Sequence, residues 1–282
     1  MTTFPSFSVQ VGPLTITGYG IMMMVGFLFG GWLIDNELRR RGLNRDYAGD
    51  IVVAAVIGGV IGAKLWYVAL HGPDTLLERA GLVWYGGLVG GFVAVALQSV
   101  RRKVPVRFTM HLTAPALAAA YALGRIGCLM VGDDYGIPTD GALGVAFPQG
   151  IPPTTTAGLA TLGWDAPPGS DPTTVFAVHP TMLYETILMT GAFMLLWQMR
   201  PRPQGTGWLF GLYLILLGIE RFFVEFIRLK DDRLLGPFTV AQLTSVILVG
   251  VGAALWIRFK DAGEADPGPY LRTAPAAASS GG

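Results

Sequence analysis

Seven stretches of this chain have the length and apolar character of a helix that crosses a bilayer: residues 18–34, 51–70, 82–100, 108–131, 181–199, 207–227 and 238–257. Such a helix needs about 20 mostly apolar residues, and an open sheet edge cannot lie in lipid, so these stretches are expected to be helices. The charge content agrees. Only 14% of residues are charged, against roughly 25% in a soluble domain, which leaves too few charges to cover a water-exposed surface. The expected class is therefore all-α: a polytopic integral membrane protein of seven transmembrane helices. Residues 1–17 hold no Lys or Arg, so the first stretch lacks the basic flank of a cleavable signal peptide.

Lys and Arg between the stretches set the expected orientation. Thirteen fall in 35–50, 101–107, 200–206 and the C-terminal tail, and four (Arg79, Arg228, Lys230, Arg233) on the opposite side. The N-terminus is thus expected outside and the C-terminus in the cytoplasm. Residues 132–180 carry five aspartates and no Lys or Arg. So long a connection is usually functional or disordered, and here it reads as an extracytoplasmic lid or access arm. The chain divides into a membrane domain, 1–260, and an Ala/Pro/Gly/Ser-rich tail, 261–282, expected to be disordered. No internal repeat is evident, which argues against an inverted-repeat transporter.

Other chemistries are narrowed by composition. A net charge of +1 excludes a strongly basic nucleic-acid binder. The single cysteine, Cys128, excludes an internal disulfide and a multi-thiolate metal site. His71, His111 and His179 lack metal-ligand spacing, and neither a metal nor a cofactor is expected. Cys128 reads as a small buried hydrophobe rather than a nucleophile. Asp133 and Asp134 read more readily as a solvated acidic loop than as metal ligands, and His71 and His111 as structural residues at helix ends.

The charges inside the apolar stretches carry the functional signal: Lys64, Arg125, Glu185, Glu220, Arg221 and Glu225. Each costs about 2.5–3.5 kcal/mol near a helix centre, on the order of 15 kcal/mol for six. Residues of this kind face a bundle interior or a wet cavity, where they serve function or pair as interhelical glue. Alternating helix directions bring Lys64, Arg125, Arg221 and Glu225 into the outer halves of helices 2, 4 and 6. Tyr184 and Glu185 then open helix 5, Tyr85 helix 3 and Tyr19 helix 1. Tyr19 also fits the ordinary role of an interfacial anchor. Arg221, Glu225 and Arg228 lie at i, i+4 and i+7, one stripe of one helix, whereas Glu220 points about 100° away and reads as structural.

Cations outnumber acids in this set, with Arg125, Arg221, Arg228 and Lys64 facing Glu185 and Glu225. Guanidinium forks suit phosphate oxygens, so the simplest ligand is an anionic phospholipid headgroup. An ion pore would need charges along a whole transmembrane path, and the inner halves of the stretches supply none. Most glycines read as helix-packing positions. Gly124 and Gly127, flanking Arg125, would also give a substrate close access to its guanidinium. A nucleotide-binding glycine loop is excluded, because no strand–helix unit surrounds them.

Four blocks complete the pattern: YGGLVGG at 85–91, GRIGCLMVGDDYG at 124–136, HPTMLYE at 179–185 and RFFVEFIR at 221–228. In this order, and together with Tyr19–Gly20, the chain resembles the prolipoprotein diacylglyceryl transferase family over nearly its whole length. The resemblance implies a seven-helix enzyme of the bacterial inner membrane with its site toward the periplasmic leaflet. It also implies the reaction: transfer of the diacylglyceryl group of phosphatidylglycerol to the lipobox cysteine of a prolipoprotein signal peptide, releasing glycerol 1-phosphate. Arg125, Arg221, Tyr85 and His179 are then the expected catalytic residues. Tyr19, Lys64, Gly127, Asp133, Tyr184, Glu185, Glu225 and Arg228 are expected to bind substrate. Relative to the family, Tyr85 stands where a His is common, Cys128 and Val131 where Asn is common, Asp133 for Glu, Met182 for Gln, Lys64 for Arg and Leu217 for Tyr.

Chemically, Arg125 and Arg221 would hold the phosphate, Arg228 would assist, and Glu225 would orient Arg221. A base is needed, because a free thiol ionises only near pH 8.5. Tyrosine ordinarily titrates near pH 10 and histidine near neutrality, which leaves Tyr85 and His179 as alternatives. A diverged lipid-binding or lipid-transport paralogue without transferase chemistry is the rival function.

Overall fold

The computed structural model describes residues 2–12, 14–77, 83–229, 233–235 and 238–272. Arg79, Lys230 and tail residues 273–282, all used in the sequence reading, lie outside them. Seven long helices appear among the described residues: α1 (Gly18–Arg40), α2 (Asp46–His71), α3 (Trp84–Arg101), α4 (Val106–Val131), α5 (Thr181–Met199), α6 (Trp208–Val224) and α7 (Val240–Lys260). Four of them, α1, α2, α4 and α7, are long and apolar enough to cross a membrane. The remaining three have 18, 19 and 17 residues.

Local chemistry sets the helix ends. Thr17 caps α1 by accepting from the Gly20 N–H, and Thr239 with Gln242 forms a reciprocal capping box on α7, the arrangement that satisfies otherwise orphaned N–H groups. Gly132 ends α4 in the left-handed conformation at φ 74°, where a side chain would be strained. Helix pairs pack antiparallel along small-residue seams. On α2–α3, Gly58 and Gly62 meet Gly86 and Gly90 so closely that a Cβ at any of them would strike opposing backbone. On α1–α4, Gly26 and Gly30 lie against Ala120 and Ala116. Among the described residues there are also three two-stranded ribbons, the longest pairing Ser8–Val11 with Leu14–Thr17 just ahead of α1.

The helix termini gather into two ends. At one lies the arm, residues 132–180, which has its own core of Tyr135, Phe147, Leu159 and Val178, closed by Met182 and Leu229. At the other lie the connections after α1, α3 and α5, with the tail over them. Two expectations are corrected at the tail end. Residues 35–40 are not a loop: α1 continues through them and buries Glu37 at 4% exposure, because Arg40, Arg41 and Arg200 surround its carboxylate. The tail is not disordered as far as Arg272. Ala265 and Leu271 insert into the core beside Leu38, Tyr47 and Phe108, Thr206 accepts from the Ala265 N–H, and the Asn44 N–H bonds the Leu271 carbonyl. Two apolar anchors and paired backbone groups are enough to dock this polar segment.

Candidate active site

The site lies where α4 ends, α5 begins and α6 ends. Helical spacing puts Tyr121, Arg125 and Cys128 on one face of α4. The chain then turns at Gly132 and runs back through Asp133 and Asp134. Gly136 passes against the end of α6 so closely that a Cβ there would collide with the Ile227 carbonyl. Backbone bonds fix this passage, from Gly136 N–H to the His179 carbonyl (2.8 Å) and from Ile137 N–H to that of Ile227 (2.9 Å). Pro180 stops the arm and α5 opens at Thr181, so Glu185 arrives one turn inside that helix.

Glu185 is 1% exposed and lies between two guanidiniums: Arg125 Nε is 2.6 Å from one carboxylate oxygen and Arg221 Nη1 3.2 Å from the other. Arg221 also reaches Glu225 at 3.0 Å, and Arg228 lies 3.8 Å from the same oxygen. Arg125 donates to Asp134 at 2.7 Å and to the Tyr121 hydroxyl at 3.2 Å, with its guanidinium 5.1 Å from the Tyr121 ring centroid. Arg228 donates to the other oxygen of Asp134. A ring of three arginines and three carboxylates results, drawn from α4, the arm, α5, α6 and the short turn that follows α6. Burial of so many charges is tolerable only because each has an opposite partner.

This ring unites Arg125, Arg221, Arg228, Glu185 and Glu225, as the shared depth and helical spacing imply. Its charge is balanced rather than cationic, because Asp134 is a member. The solvated-loop reading of Asp133–Asp134 is accordingly corrected. Arg228 and Arg125 hold the Asp134 carboxyl below the usual carboxylate range against the upward push of burial. Asp133 points elsewhere, with one buried oxygen lacking a hydrogen-bond partner, and burial pushes its carboxyl up to about 6.

Other expected residues fall around the ring or away from it. His179 and Tyr184 hydrogen-bond each other at 3.2 Å beside Glu185. Tyr19 opens α1 at 37% exposure, within electrostatic reach of Arg125 and Asp133. Gly127 gives α1 its close approach, since a Cβ there would sit 3.0 Å from the Tyr19 Cα. Gly124 likewise faces Met23 of α1. Lys64 and Tyr85 sit on the α2–α3 hairpin, Lys64 with its ammonium 5.2 Å from the Tyr67 ring centroid. Cys128 is buried, its sulfur 3.8 Å from Arg125 Nη1. His111 is buried and accepts from the Gly207 N–H at the tail end, a structural role.

Sequence reading missed two members of the site. Tyr121 precedes Arg125 by one turn, and i, i+4 spacing on α4 marks it. Asp134 is reachable from sequence only if the path of the arm is known. Glu220, buried at 6% exposure with neither oxygen hydrogen-bonded, faces the ring's electrostatic field from α6.

A mostly helical protein with four membrane-length apolar helices and a buried Arg–carboxylate ring at one end has the make-up of a membrane protein. Comparison with known sequences defines the class further. The family model described as prolipoprotein diacylglyceryl transferase matches residues 6–258. Phosphatidylglycerol--prolipoprotein diacylglyceryl transferase of Clostridium tetani is 31% identical over 247 residues, covering 85% of this chain and 91% of that protein. The protein of the same name from Stenotrophomonas maltophilia is 31% identical over 268 residues, 89% and 90% of the two chains. That from Thermosynechococcus vestitus is 28% identical over 281 residues, 95% and 97%. The chain belongs to the prolipoprotein diacylglyceryl transferase family.

Proposed function

We propose that this protein transfers the diacylglyceryl group of phosphatidylglycerol to the lipobox cysteine of prolipoprotein signal peptides in the bacterial inner membrane. The observation that carries the proposal is the arginine ring, built from the family's own sequence blocks. All seven long helices span the membrane, with the N-terminus and the arm outside and the tail in the cytoplasm. The thirteen-to-four distribution of Lys and Arg supports this orientation. The ring then lies in the outer leaflet, where the arm controls access.

In the reaction, the substrate thiolate attacks C3 of the diacylglyceryl group. The S–C bond forms as the C3–O bond to phosphate breaks, and the phosphodiester leaves as a monoester with one further negative charge. Arg125 and Arg228 meet the phosphate from one side and Arg221 from the next turn of α6, so that developing charge falls on preorganised donors. Glu185 and Glu225 fix the planes of Arg125 and Arg221. We assign the thiol proton to His179, which Tyr184 orients, with Tyr85 entering from the α2–α3 hairpin to line the thiol's approach.

The test uses purified protein in liposomes, labelled phosphatidylglycerol, and a lipobox peptide beside its Cys→Ser twin. Label should appear only on the cysteine peptide, with glycerol phosphate released. Tight lipid binding, or movement of intact lipid between leaflets, without transfer would replace this reading by a lipid-binding or transport function.

A further inference from the structure

Among the ring's carboxylates, Glu185 and Glu225 have side chains 1% and 2% exposed, whereas that of Asp134 is 38% exposed. Asp134, the most exposed member of the ring, is therefore the carboxylate that solvent and an arriving ligand meet. The backbone beneath this side chain is pinned: its carbonyl accepts from the Thr181 hydroxyl at 2.6 Å, and Gly136 is tied to His179 two residues on. Its φ of 61° is unusual for a residue with a Cβ, though Asp tolerates that region better than most. The carboxylate can thus swing away by side-chain rotation while the loop stays in place.

What Asp134 offers Arg125 and Arg228 is two oxygens sharing one negative charge. The non-bridging oxygens of a phosphodiester offer the same charge in a similar fork, the geometry that guanidinium groups favour. We infer that the Asp134 carboxylate is an internal occupant of the phosphate seat, holding Arg125 and Arg228 paired until the phosphodiester of an anionic lipid displaces it. The inference rests on the reading of the ring as the phosphate site.

Several consequences follow from that arrangement. The exchange replaces one negative charge by another, so neither arginine stands unpaired in the membrane at any stage, a costly condition. Glu185 and Glu225 stay behind to hold the arginines in position. Because ligand-competent molecules are only a fraction of the total, apparent affinity for any phosphate ligand is lowered by that fraction. The same carboxylate helps to expel the glycerol phosphate product by reclaiming its seat.

The experiment compares wild type with Asp134→Asn by two readouts. One is calorimetric binding of glycerol 1-phosphate to the resting protein, which needs no turnover. The other is the apparent KM for phosphatidylglycerol in liposomes. Removing the charged occupant should tighten glycerol phosphate binding by about fivefold or more and lower KM in parallel. Binding that is unchanged or weaker in a variant that is folded at the assay temperature would overturn the inference. Should the Asn variant fail to fold, Asp134→Glu retains the charge but displaces the carboxylate by a methylene. It too should bind glycerol phosphate more tightly, and equal or weaker binding would overturn the inference. Wild type that transfers normally while the variants bind no more tightly refutes the role of Asp134 alone. Wild type that binds glycerol phosphate without transferring refutes the transferase reading alone, and wild type that does neither refutes both.

Discussion

Each end of the bundle buries a glutamate among arginines, and the two clusters are built differently. At the tail end, Glu37 is met by Arg40 and Arg41, three and four residues further along the same helix, and by Arg200 at the end of α5. Arg41 extends the contact to Glu264 and covers the Phe108 ring, while Arg102 and Tyr270 share Asp50. Its centre, Glu37 with Arg40 and Arg41, is local and rich in cations, while Arg200, Glu264 and Tyr270 tie that centre to α5 and the docked tail. At the arm end, arginines and carboxylates balance, and the members come from positions between 125 and 228. The comparison separates two uses of one chemistry. Local pairs with surplus positive charge fasten helix ends together, whereas a balanced ring assembled over long range holds a defined geometry around an exchangeable anion.

The largest expected effect tests that separation directly. Arg125→Ala should lower lipid transfer by on the order of 10³-fold, because it deletes a donor that the proposed mechanism aims at the leaving phosphate. Arg41→Ala should leave turnover per folded molecule within about twofold, since an interaction remote from the reacting atoms contributes no differential binding of the transition state. Both are measured with labelled phosphatidylglycerol and a lipobox peptide. Equal losses in the two variants would break the contrast between site and fastening.

Next in size is removal of the tail. Truncation after Lys260 strips Ala265 and Leu271 from the core cluster around Leu38 and Tyr47. Burial of a leucine is worth about 1.5–3 kcal/mol, so the loss should lower the melting midpoint in detergent by roughly 5–10 °C. Turnover of the folded fraction should persist. A truncated protein with an unchanged midpoint would mean that the docked segment adds nothing to the fastening.

The same contrast explains what was legible in the sequence. All seven long helices correspond to the apolar stretches, and α5 matches residues 181–199 at both ends, because long apolar runs leave the backbone few alternatives. Depth was legible too: counting residues from helix ends brought Arg125, Arg221, Glu225 and Glu185 to one level. Lateral position was not. Counting brings Lys64 and Tyr85 to the same level, but periodicity does not say which neighbour a face will meet, and the glycine seam packs α2 against α3. Long-range partners were hidden for a similar reason. Glu37 reads as a loop residue until Arg200 is brought beside it, and Asp134 reads as solvated until Gly136 threads the arm along the end of α6. In the tail, composition spoke for disorder, and two apolar residues outweighed it.

The smallest predicted effect concerns adjacent aspartates whose environments differ in kind. Asp133 has a buried oxygen without a hydrogen-bond partner, and burial pushes its carboxyl up to about 6, above the roughly 3.9 of an unfolded chain. A raised folded value means that the fold favours the protonated form. Below about pH 4 both states are protonated and no penalty exists; the penalty grows as pH rises through 6 and is complete above it. Asp133→Asn should therefore leave the melting midpoint unchanged at pH 4 and raise it by a few degrees at pH 7.5, corresponding to about 1–2 kcal/mol. Asp134 carries the opposite sign. Its arginine partners outweigh burial and lower its folded value, so its contribution is present above about pH 4 and fades on acidification. Asp134→Asn should lower the midpoint at pH 7.5, with the deficit shrinking toward acid. Midpoint-versus-pH curves for the two single variants decide the matter: parallel displacement in one direction would refute the division between a carboxylate the ring uses and one that it merely buries.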